Sequence, residues 1–173
     1  MIYFYYVLLV PISLFLTLTA MVIAPILPLF AKDGWLPKWL WWFQTPDNSL
    51  DGDVLWQITH SKSYRNQVLW LWRNPAYAFA CRYINGTNAT YSGDKDIKDN
   101  DGAKEGHCLV KAAGLFQYTY IKRIGNRCIY INLGWNIKSL IDPNFINDKW
   151  HPNDLTHYEA TFVFAPRISG FFA

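Results

Sequence analysis

From Met1 to Ala31 the chain carries no Asp, Glu, Lys, Arg or His, so every charged side chain and every histidine falls beyond that point. A bilayer core about 30 Å thick takes roughly 20 apolar residues as helix. Ile2 to Ala24 supply that length before Pro25 and Pro28 interrupt it. Residues 1–31 are therefore expected to form a transmembrane anchor. Pro11 removes one backbone donor inside the span, which predicts a kink there, with Ser13 or Thr17 as the local partner of the freed carbonyl. A secretory signal peptide is the competing reading. It calls for a basic leader, a shorter apolar stretch and a small-x-small cleavage site, and none of these is clean in this segment.

Aromatic residues mark both ends of the span. Tyr3, Tyr5 and Tyr6 suit one interface, and Trp35, Trp39, Trp41 and Trp42 crowd the other beside Lys32 and Lys38. The run Leu36 to Phe43, L-P-K-W-L-W-W-F, either lies in the interface plane or caps the core of the domain, and its tryptophan density favours the interface. Because the two lysines follow the span, the C-terminal domain is expected in the cytoplasm. Three widely spaced cysteines, Cys81, Cys108 and Cys128, form no disulfide framework and no C-x-x-C pair, and free thiols fit a reducing compartment. The sequons at Asn85 and Asn88 would argue for a lumenal loop instead.

With 173 residues the chain has room for one domain besides the anchor. Its 51% hydrophobic content excludes disorder, and 16 basic against 13 acidic residues is too even for a phosphate-binding surface, so nucleic acid is not an expected partner. Residues 32–53 are read as an aromatic interfacial segment and linker, and 54–173 as a soluble α+β domain. Asp51 or Asp53 is placed to cap a short helix carrying Val54, Leu55 and Ile58. A second helix is predicted from about Ser61 to Arg73, with Tyr64, Val68, Leu71 and Trp72 on one stripe and Asn74-Pro75 as its stop. The polar stretch 85–107 reads as a long surface loop.

Leu115–Arg123 and Arg127–Trp135 flank Gly125-Asn126, a two-residue hairpin turn that pairs Ile124 with Arg127. In that register Phe116, Tyr118 and Tyr120 share a face with Ile129, Ile131, Leu133 and Trp135, and Gln117, Thr119, Arg123 and Asn132 share the other. Strands at 108–112 and 158–165 complete a four-stranded antiparallel sheet. Its apolar face is expected to pack on the helix 61–73.

Chemistry is sparsely represented. His107 adjoins Cys108, and His151 and His157 flank Asp154, but no metal-ligand spacing is present, so neither a metal nor a cofactor is expected. Cys108 with His151 or His157 is the one arrangement that suits a thiol nucleophile, and its strand position offers no helix dipole to activate the sulfur. The acidic run Asp94 to Gly102 has Lys98 where a calcium ligand would stand, which favours a solvated loop.

The segments Trp41–Asp53 (W-W-F-Q-T-P-D-N-S-L-D-G-D), Arg73–Phe79 (R-N-P-A-Y-A-F) and A-P-R-I-S-G near the C-terminus, together with the uncharged span, resemble small uncharacterised membrane-anchored proteins of tailed bacteriophages. The resemblance implies a viral product acting at the inner membrane of a bacterial host and carries no reaction. Asp47, Asn48, Asp51 and Asp53, with Arg73, are expected to form a structural polar cluster. The expected function is non-enzymatic: a single-pass membrane protein presenting a small protein-binding domain. The alternatives are a membrane-tethered hydrolase or lysis accessory, and a structural component of a virion or membrane complex.

Overall fold

The computed structural model describes residues 1–84, 89–98, 102–139 and 158–170. Its contacts divide the chain into two compact units, one from Tyr3 to Cys81 and one from Arg82 onward. The division falls after Cys81 and not after residue 53, because Val68 and Leu71 of the helix at 64–73 share a core with the segment before it.

In the first unit, α1 runs from Ile2 to Ile23 without a break at Pro11. Thr19 Oγ1 bonds the Phe15 carbonyl at 2.8 Å, and among the described residues neither Ser13 nor Thr17 serves Val7, contrary to expectation. Pro25 has no N–H to give the Met21 carbonyl. That acceptor is served instead by Trp72 Nε1 at 2.9 Å, and the Tyr64 hydroxyl donates to the Pro25 carbonyl. Both donors come from α3 (Tyr64–Arg73), which is capped by Ser63 and ends at Asn74. Ala24, Leu27, Leu36, Leu40 and Leu50 bury together with Val68 and Leu71 of α3, joining the end of α1 to the segment that follows it. Val68 and Leu71 of the α3 apolar stripe are thus buried within the first unit's own core.

The run Lys38–Phe43 is a 3-10 helix. A three-residue period stacks Leu40 on Phe43, Trp39 on Trp42 and Lys38 on Trp41. The first pair faces the core and Trp39 and Trp42 are exposed, so the segment caps the core with one face and leaves its tryptophans outside with another. Asp53 Oδ1 caps α2 (Val54–Thr59) through Trp56 N at 2.7 Å, while Val54, Leu55 and Ile58 point outward. A single turn, α4 (Tyr77–Ala80), completes the unit.

The second unit is an antiparallel sheet of six strands among the described residues, where four were expected. The strands are β1 (Cys81–Ile84), β2 (Thr90–Gly93), β3 (Gly106–Ala112), β4 (Leu115–Ile124), β5 (Arg127–Ser139) and β6 (Tyr158–Gly170), in the order β1-β6-β5-β4-β3-β2. The chain is thus α+β. Ile124 pairs with Arg127 and Gln117 with Gly134, the register set by the two-residue turn.

The two faces are not used as the side-chain pattern suggests. Gln117 and Thr119 share their face with Cys108, Val110, Ile121, Cys128 and Tyr130, and all of these are buried. What covers part of that face comes from the stretch read as a surface loop. Ile97, in a 3-10 turn at Lys95–Ile97, is fully buried, and the Lys98 carbonyl accepts from Gln117 Nε2 at 3.4 Å and from Thr119 Oγ1 at 3.3 Å. Gln117 Oε1 also accepts from Ile137 N at 3.0 Å. On the opposite face Phe116, Trp135 and Phe162 form an edge-to-face aromatic row.

Lys104 fastens the covering stretch from outside, 2.6 Å from Asp94 and 3.0 Å from Asp96. Its hydrogen bond to Asp94, followed by the Asp96 N–H, holds the Asp94 carboxyl below its ordinary 3.8, and the same contacts hold the Lys104 ammonium above its ordinary 10.5. The stabilisation from the carboxylate is present above 3.8 and fades as pH falls through the lowered value. That from the ammonium is present below 10.5 and fades as pH rises through the raised one. Lys104→Ala is therefore expected to lower the melting temperature by a constant margin from about pH 5 to 9, and by a margin that shrinks as pH falls through the lowered Asp94 value, in thermal melts at low salt.

Candidate membrane-proximal site

The uncharged segment and the tryptophans after it form one surface. A fully apolar helix of 22 residues has two ordinary uses, as the core of a soluble fold or as a membrane span. Here only 11% of its most apolar stretch is buried, so the soluble-core use leaves most of its apolar surface unpaid for. At its end Leu29, Phe30, Trp39 and Trp42 are exposed, with Trp72 and Tyr64 beside the last turn.

The segment Lys32–Gln44 forms a collar braced by several contacts. Lys32 and Trp35 exchange two backbone hydrogen bonds of 2.9 Å across Asp33-Gly34, both at positive φ. Trp35 stacks on Trp41 at 6.2 Å, Phe30 meets Trp39 edge-on at 5.8 Å, and Trp42 meets Phe79 edge-on at 5.8 Å. Gln44, which the sequence reading did not single out, ties these pieces together. Its Oε1 accepts from Leu36 N at 2.7 Å, its Nε2 donates to the Asn48 carbonyl at 3.2 Å, and its own carbonyl accepts from Ala78 N at 2.9 Å. A lone buried amide just after an aromatic run gives no periodic signal of its own.

The expected polar cluster separates into individual tasks. Asp53 caps α2, and Asp51 accepts from Gln67 at 2.9 Å and lies 3.7 Å from Lys62. Asn48 contributes its carbonyl to Gln44 and Thr45. Asp47 is exposed, and among the described residues Arg73 pairs with none of these acids. Its guanidinium instead lies 5.4 Å from the Trp56 ring and 5.7 Å from the Trp70 ring. Two neighbouring indole faces offer that cation partners within its own unit, while the acids are already committed to backbone N–H groups and to other side chains.

Among the described residues, only His107 and Cys108 of the candidate chemical residues can be placed. Strand alternation puts exposed His107 and fully buried Cys108 on opposite faces of the sheet. His151 and His157, like the sequon residues Asn85 and Asn88, lie outside the described residues. Among the described residues no three His, Cys, Asp or Glu side chains converge on a metal-sized site. Neither a curated protein nor a solved structure matches the chain. One family model does, over residues 1–165, running through the apolar helix, the collar and the sheet alike, and the chain belongs to that family, described as a family of unknown function (DUF7338).

Proposed function

We propose that this is a non-enzymatic, single-pass membrane protein that presents its six-stranded unit to a protein partner at the bilayer surface. The observation that carries the reading is the uncovered apolar α1 ending in a braced tryptophan collar, an arrangement that lipid satisfies and water does not. Lys32 and Lys38 after the span support a cytoplasmic position for the sheet. The resemblance of the span, of Trp41–Asp53, of Arg73–Phe79 and of the C-terminal A-P-R-I-S-G to bacteriophage membrane proteins supports residence in a bacterial inner membrane. The partner surface we assign is the outer row of β6, where Phe164 and Ile168 are exposed on the face that also carries Ile129, Ile131 and Leu133.

A photoreactive amino acid at Ile168 tests this in the cell of origin. A discrete crosslinked protein is expected from Ile168 and not from exposed Arg123, which pairs with Cys128 on the opposite face of the sheet. Equal, diffuse labelling from both positions would contradict it.

A further inference from the structure

We propose that the groove between Lys38, Trp41 and Trp42 seats the headgroup of an anionic phospholipid from the leaflet in which α1 ends, an inference that rests on α1 spanning the bilayer. The groove is open and holds about 420 Å³. Its existence follows from the 3-10 period. With Leu40 and Phe43 turned to the core, Lys38 and Trp41 fall on one outward face and Trp42 on the next, so an ammonium and two indoles border the same depression.

The walls are formed in advance. Trp41 is stacked on Trp35 and Trp42 is braced by Phe79, so a ligand has little side-chain freedom to remove on binding. The charge is uncommitted as well. Among the described residues Lys38 makes no ion pair, and no carboxylate borders the groove.

These features select one chemistry. The headgroup phosphate meets Lys38, and the upper acyl and glycerol carbons lie along the indoles, which favour the boundary between hydrocarbon and water. The indole faces can also attract the quaternary ammonium of a choline headgroup, but Lys38 repels that cation, whereas an anionic headgroup brings net negative charge to Lys38 with no cation beside it. Free phosphate has the charge but nothing to set against two indoles. Position agrees, because the core that holds Leu40 also holds Ala24 and Leu27 at the end of α1, and Leu29 and Phe30 between them are exposed.

The test uses the full chain reconstituted in vesicles of phosphatidylcholine alone or mixed with phosphatidylglycerol, then released into detergent for native mass spectrometry of retained lipid. Phosphatidylglycerol is expected to be enriched on the wild type. Lys38→Gln should lower that enrichment about fivefold, the order expected for one lysine at an anionic surface, while Lys38→Arg keeps it and Lys32→Gln changes it less. Equal retention of both lipids, equal loss from the Lys38 and Lys32 variants, or displacement by excess inorganic phosphate would each overturn the proposal. The two readings fail differently. A chain that resists alkaline extraction from pure phosphatidylcholine but shows no lipid preference refutes the headgroup seat alone, and a chain that is extracted refutes the anchor and the seat together.

Discussion

Gly134→Ala is expected to destabilise the sheet unit by about 3 to 5 kcal/mol, a large share of what a domain of this size has to lose. Gly134 lies inside β5 at φ +103°, opposite Gln117, and a Cβ there would stand 2.2 Å from the Phe116 carbonyl oxygen and 2.9 Å from its ring. Neither neighbour can give way. The carbonyl is backbone in the middle of the sheet, and the ring is packed edge-on against Trp135. The loss should appear as a fall in melting temperature of at least about 15 °C, followed by near-ultraviolet circular dichroism of the detergent-solubilised chain. Gly125→Ala is the matched control. It also has positive φ but nothing within 4 Å, so only the turn strain of about 1 kcal/mol is expected.

The hairpin around Gly125 was legible because a two-residue turn leaves one register, and every pairing from Gln117 to Ile124 follows from it. The assignment of its faces was not. Counting Gln117, Thr119 and Asn132 made one face look polar, although Ile121, Cys128 and Tyr130 occupy the same rows, and the amide and hydroxyl are buried because they meet the Lys98 carbonyl and the Ile137 N–H. Those partners are backbone groups distant in sequence, which no periodicity announces. Ile97 was hidden for a related reason, as a lone apolar residue among Asp, Lys and Gly carries no period and buries only once the sheet exists. At the candidate site the span, the tryptophans and the lysines were plain from composition. The three-sided geometry of Lys38–Phe43 was not, since a 3-10 helix separates side chains that an α-helix would place otherwise.

Arginine at both Ile12 and Phe15 is expected to have the largest effect on location. Both side chains are exposed, 47% and 69% respectively, near the middle of α1. On a water-facing helix such replacements change stability by no more than about 0.5 kcal/mol each. At the centre of a span each arginine costs about 2.5 to 3.5 kcal/mol, so the pair should oppose insertion by about 5 to 7 kcal/mol. The double variant should therefore move from the membrane fraction to the soluble or aggregated fraction, with the sheet still folded where it stays soluble.

The account depends most on α1 remaining in the bilayer as part of the protein. Alkaline extraction of membranes, with intact-mass measurement of the retained chain beside the Ile12/Phe15 double variant, tests this most directly. The prediction is a wild-type chain of full mass, with α1 intact, that stays in the pellet, and a double variant that leaves it. A wild-type chain shortened by the apolar segment and released into the supernatant would make that segment a removed signal. A full-mass chain in the supernatant would make α1 a helix of a soluble fold, and either result would contradict the account.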